Sequence, residues 1–281
     1  MTIARCSIGS ALMHKRTIFT SLFGIVVVAV GPTAFAGDTA TGLPLCADLN
    51  EMAMKDADLK AAELAAFGKS PQFLPQTGAI ENSPLCEAFS GFVHLDHSDV
   101  LVTTHYKAGA AAIGATESLS AYVLRKAGTA YERNAVYRDF GASKPAPGGT
   151  VVIDAERIGN RDVLTVSGGM ENQELTFSSL SLYDVNNRGI VSLGTVPTNW
   201  DNVQATDDDK QQIFIIGMID KDQPSPDELR MTYRQTAWDR TEETHAVWRS
   251  VNGNYGLISG SIPKEMAANF DTAGASTTDK P

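Results

Sequence analysis

The sequence predicts an all-β fold made of antiparallel four-stranded meander units, preceded by one N-terminal helix. Three observations carry the prediction. From residue 89 to 262 the chain runs in short alternating stretches rich in Val, Ile, Thr, Tyr and Leu, punctuated by Gly, Asn, Asp and Pro. Similar segments recur along that region. Upstream of it, a single stretch has helical composition, Asp48 to Phe67, rich in Ala, Leu, Met, Glu and Lys.

Residues 1–36 read as a secretory leader. Arg5, Lys15 and Arg16 precede an apolar run from Ile18 to Val30, and Ala34-Phe35-Ala36 forms a small-residue cleavage site. The run is about 13 residues, short of the ~20 that a membrane span requires. Leu43-Pro44-Leu45-Cys46 puts a leucine where a lipoprotein signal needs a small residue. The expectation is a periplasmic or secreted protein with no membrane anchor after cleavage.

Residues 37–84 are assigned to a polar stub, the helix and a proline-containing loop. The helix is expected to begin at a capping box, Asp48 and Glu51, and to stop at Gly68 and Pro71. With Cys6 lost to the leader, Cys46 and Cys86 form an even pair in an oxidising compartment, the pattern of one structural disulfide.

Residues 85–263 form the all-β region. Twelve strands are expected: Phe89 to Asp96, Val100 to Lys107, Leu119 to Arg125, Tyr131 to Tyr137, Thr150 to Glu156, Asp162 to Ser167, Thr176 to Val185, Ile190 to Val196, Gln212 to Ile219, Leu229 to Ala237, Thr244 to Val251 and Asn254 to Ser259. Ser118-Leu119-Ser120-Ala121-Tyr122, Ser179-Leu180-Ser181-Leu182-Tyr183 and Thr244-His245-Ala246-Val247-Trp248 align as one hairpin used three times, each followed by a glycine: Gly128, Gly189 and Gly253. A second echo joins Asp99-Val100-Leu101-Val102, Asp162-Val163-Leu164-Thr165 and Gln212-Ile213-Phe214-Ile215. Three quasi-repeats of four strands imply a propeller-like stack or a sandwich, since a closed propeller needs at least about four blades. Residues 264–281 are too poor in large apolar side chains for order and are expected to be a disordered tail.

Charge narrows the function. The chain carries 23 Lys and Arg against 33 Asp and Glu, and loss of the leader leaves a net charge of about −13. An acidic surface disfavours nucleic acid, whose affinity comes from basic groups displacing counterions, and favours a cationic protein or envelope component as partner. Phosphate loops, Gly-x-Ser-x-Gly elbows and His-Glu-x-x-His helices are absent from the sequence.

Two sets of residues are candidates for chemistry or binding. His94, Asp96 and His97 form the densest group of potential metal ligands, with Asp99 expected opposite Asp96 across a hairpin. Trp200 and Asp201, with Trp238 and Asp239, combine tryptophan and carboxylate at loop-like edges, where an exposed indole anchors a partner. His245, aligned with Leu119 and Leu180, is expected to be a hydrogen-bonded core or half-buried histidine. Asp207-Asp208-Asp209 and Asp220-Lys221-Asp222 are expected to serve turn chemistry. Asp184-Val185-Asn186-Asn187-Arg188-Gly189 fails as a calcium loop because Arg188 occupies a ligand position. The preferred reading is an exported, non-catalytic binding or protein-interaction module of inhibitor or immunity type, with no cofactor. The competing readings are a divalent-metal-assisted hydrolase around His94, Asp96 and His97, and a saccharide-binding module.

Overall fold

A computed structural model describes residues 43–68, 71–73, 86–106, 117–143, 151–171, 175–186, 188–203 and 205–270, all within one compact unit, 36–281. The expected leader and polar stub, most of the loop at 69–84 and the end of the tail lie outside the described residues.

Two helices replace the single one expected. α1 (Ala47–Ala53) starts at Cys46 with no side-chain cap, so the anticipated capping box is not what starts the helix. The chain breaks at Asp56, whose carboxylate accepts hydrogen bonds from the backbone N–H groups of Asp58 and Leu59. An N-cap carboxylate satisfies donors that a continuing helix would leave to the carbonyls behind it. α2 (Ala57–Phe67) ends, as expected, at Gly68.

Twelve strands follow in the order read from the sequence: β1 (Cys86–His94), β2 (Asp99–Tyr106), β3 (Glu117–Ala127), β4 (Ala130–Ser143), β5 (Val152–Ile158), β6 (Arg161–Glu171), β7 (Thr176–Asn186), β8 (Gly189–Asp201), β9 (Ile213–Ile219), β10 (Glu228–Ala237), β11 (Arg240–Val251) and β12 (Asn254–Gly260). Every neighbouring pair is antiparallel. β1 to β4 form a four-stranded sheet, and β5 to β12 an eight-stranded one. The larger sheet is two meanders joined by a short seam, since β8 meets β9 only at Asn199–Ile216, Trp200–Ile215 and Asp201–Phe214. The described residues therefore form three four-stranded meanders, and these do not close into a barrel.

The hydrophobic residues stack these units in layers. Leu101, Tyr122, Leu124 and Tyr131 of the first meander pack against Leu49, Leu59, Ala62 and Phe67 of α1 and α2. The opposite face, with Val93, Val100, Val102, Leu119 and Ala121, meets Leu164, Val166 and Tyr183 of the second meander. Leu182, Val196 and Trp200 of the second then meet Leu229, Met231, Tyr233 and Trp248 of the third. Alternation along each strand supplies both apolar faces of a middle layer.

The threefold echo in the sequence is a structural equivalence. Its three copies are all third strands, β3, β7 and β11. Tyr122, Tyr183 and Trp248 each face the preceding layer. The turn after β3 uses Gly128 at φ +67° and the turn after β11 uses Gly253 at φ +78°, backbone conformations that favour glycine. The second echo holds for two members only: Asp99 and Asp162 lead into the second strands β2 and β6, whereas Ile213-Phe214-Ile215 lies in β9, a first strand. A continuous apolar run resembles any strand of the unit, and that mislaid the third copy.

His245 is where the stack ends. Leu119 is fully buried and Leu180 packs against the next layer, whereas His245 is exposed, its Nδ1 2.9 Å from Thr232 Oγ1. The expected half-burial fails because no fourth layer is there to cover it among the described residues. Arg230 and Arg234 on β10 and Glu243 on β11 are likewise exposed, as befits a capping unit in a repeat array.

The disulfide is present. Cys46 and Cys86 have Cα atoms 5.2 Å apart, and Leu45 forms parallel bridges with Glu87 and Phe73. The N-terminal segment is thereby sewn along the start of β1. Glu87 is fully buried there, its carboxyl accepting from Thr103 Oγ1 at 2.6 Å and Tyr122 Oη at 2.9 Å, which answers the desolvation of the group. At the other end of the chain the expected tail begins as a helix, α3 (Lys264–Phe270). Met266 is fully buried and Phe270 packs edge-on to Trp248. Two apolar side chains placed at i and i+4 suffice to dock a short helix on a ready-made core.

Candidate functional site

The histidine cluster is divided by its own hairpin. β1 ends at His94, and the turn closes with a hydrogen bond from the Leu95 N–H to the Ser98 carbonyl. Asp99 therefore pairs across from His94, not from Asp96, and His94 Nδ1 lies 2.5 Å from Asp99 Oδ1. Asp96 turns elsewhere. Its carboxylate accepts from Arg157, which holds its pKa below the usual carboxylate range, and its backbone N–H donates to Asp162 Oδ2 at 2.6 Å. Arg157 also donates to Asp162 Oδ1 at 2.8 Å. His94, Asp96 and His97 thus do not converge, and among the described residues no group of three His, Cys, Asp or Glu side chains is placed to hold a metal ion.

Asp96 and His97 instead line a crevice of about 470 Å3 where the turns of the first two meanders meet. Asp162 and Asp184 belong to it from the second meander, with Asn160, Asn186 and Arg188 at its turns. Arg161 lines it as well, donating to Asp184 at 2.9 Å and to Asp227 at 3.2 Å. Most of its charge is thus consumed in internal pairs. Sequence reading did not single out Arg157 and Arg161, because partners 61 and 66 residues apart leave no local signature.

The tryptophan candidates separate just as cleanly. Trp200 is 6% exposed and belongs to the core between the second and third meanders. It was expected at a loop edge because β8 was expected to stop at Val196. The strand runs on to Asp201, and Val196 and Trp200 both join the core between the second and third meanders. Asp201 is half-buried next to it, accepting from the Val203 N–H. Trp238 is 61% exposed, in the turn between β10 and β11, with Asp239 exposed beside it.

Around Trp238 lies a shallow groove of about 440 Å3, formed with Val203, Ile213, Phe214, Thr236 and Ala237 and rimmed by Asp209 and Gln212. Phe214 pairs with Thr236 on one side and Asp201 on the other, which places it at the seam between second and third meanders. Ile216 and Met218 continue the exposed stripe along β9. Those three side chains were legible in part. Ile213 to Ile219 is apolar at nearly every position, the mark of a strand with two apolar faces, and only one face has a layer to cover it.

Of the acidic runs expected to serve turns, one carboxylate is seen to do so. Asp208 accepts from the Lys210 N–H and opens a short 3-10 turn, Asp209–Gln211, while Asp220 accepts from Thr232 Oγ1 at 2.8 Å. No helix among the described residues is long and apolar enough to cross a membrane. No protein-family model, curated protein or solved structure matches this chain.

Proposed function

We propose that this protein is an exported, non-catalytic binding module that engages another protein or an envelope component through the outer side of its third meander. One observation carries the reading. Trp238 stands 61% exposed beside Phe214, on the end layer of a stack whose other end is covered by α1 and α2. A large, rigid indole in water loses little entropy on binding, and such residues supply a disproportionate share of interface energy. Two ion pairs lie on the same face: Arg234 with Glu243 at 2.9 Å toward the Trp238 turn, and Arg249 with Glu228 at 3.2 Å at the far end of the β10–β11 hairpin. The leader and the Cys46–Cys86 disulfide support a periplasmic or extracellular setting.

The test is retention of a partner from the native envelope fraction on immobilised mature protein. Trp238→Ala should lose that partner while its thermal melt stays unchanged. Equal retention by the variant removes the groove from the function. The saccharide reading uses the same indole, and saturable tryptophan quenching by envelope glycans, with no protein retained, would replace the present proposal with it.

A further inference from the structure

The acids of this surface are not spread at random around the groove. Asp209 lines it, Asp207 and Asp208 adjoin it, Asp239 follows Trp238 directly and Asp201 pairs across from Phe214. Among the described residues none of these five carboxylates has a Lys or Arg partner. Of the arginines near it, Arg234 pairs with Glu243 and Arg240 with Glu242.

We infer that the groove takes a basic segment of a partner chain, with an arginine or lysine side chain laid on the Trp238 indole and its neighbours facing the aspartate rim. This rests on the binding reading above and adds the chemistry of the partner. Two properties of the site select a cation. The indole face is electron-rich and attracts guanidinium and ammonium groups, and Phe214 and Val203 beside it offer apolar surface to the aliphatic stem of such a side chain. Carboxylates at the rim without a Lys or Arg partner pull basic residues toward that face and repel acidic ones. A neutral apolar peptide would satisfy Phe214 and leave the rim carboxylates facing it unpaired, and an acidic one would be repelled outright.

The three tryptophans make the site readable. Trp200 and Trp248 are 6% and 3% exposed, so a change in emission on adding a peptide reports Trp238. Fluorescein-labelled hexa-arginine is titrated with the protein by anisotropy, tryptophan emission is recorded alongside, and hexa-glutamate is the control. Hexa-arginine should bind saturably and quench, and hexa-glutamate should do neither. Trp238→Phe should retain binding, Trp238→Ala should lose most of it, and Asp209→Asn with Asp239→Asn should weaken it about tenfold, as should raising salt from about 50 to about 500 mM. No saturable binding of hexa-arginine, or binding indifferent to salt and to the two aspartates, overturns the inference. If an envelope partner is still retained in a Trp238-dependent way while hexa-arginine is ignored, the basic segment is wrong and the binding role stands.

Discussion

Gly91 of β1 lies directly against Ile153 of β5: a Cβ on the glycine would sit 2.5 Å from the isoleucine Cβ. This contact joins the four-stranded sheet to the eight-stranded one, and it is possible only where one partner has no side chain. Two layers can approach this closely because the first strand of the second meander crosses the first strand of the first at a glycine. Gly91→Ala should therefore destabilise the protein by about 1–3 kcal/mol, as overpacking does when backbone cannot retreat. Urea unfolding followed by circular dichroism measures it, and a midpoint equal to that of the unaltered protein would falsify the stacking of β1 on β5.

The two tryptophan candidates should respond in opposite ways. Trp200→Ala empties a buried site lined by both large layers and should cost about 3–5 kcal/mol, whereas Trp238→Ala, at an exposed turn, should stay within about 0.5 kcal/mol. Comparable thermal melts for the two variants would contradict the burial difference.

Burial pushes the Glu63 carboxyl of α2 above its ordinary value of 4.5, against the opposing pull of Lys60. Folding therefore favours the protonated acid. The native state gains from this below about pH 4.5, and the gain is lost as pH rises through the folded-state value. Glu63→Gln should accordingly raise the melting temperature at pH 7 by a few degrees and leave it unchanged near pH 3. A larger benefit in acid than at neutrality has the wrong sign and rules out a burial penalty.

The Cys46–Cys86 bond closes a loop with a sequence separation of 40 residues, for which chain entropy gives about 4 kcal/mol. Cys46→Ser with Cys86→Ser should lose stability of that order, and the protection of α1 against proteolysis should fall first, since the bond sews its N-cap to β1. Two free thiols in mature protein, counted under denaturing conditions, would remove the bond and the oxidising setting argued from it.

All twelve strands were readable because each is a short alternating or apolar run ended by a turn residue, and that information is local. The hairpin echo was readable for the same reason. Its meaning was not: Leu119, Leu180 and His245 are equivalent positions, yet the sequence could not say that the first two meet a next layer and the third meets solvent. Likewise the helix break at Asp56 was visible as a residue and missed as a cap, because an aspartate inside an Ala- and Leu-rich run also fits an exposed helical face.

By itself, then, the order of residues determined the strands, their antiparallel succession and the grouping into three units, all consequences of side-chain period, and it named the cysteine pair that the fold joins. Tertiary structure alone decided which face of each unit is covered, and with that it buried Trp200, exposed Trp238 and His245, and parted His94 from Asp96. Burial depends on what lies opposite a side chain in space, and residues that meet there, such as Arg157 and Asp96, are dozens of positions apart in the chain.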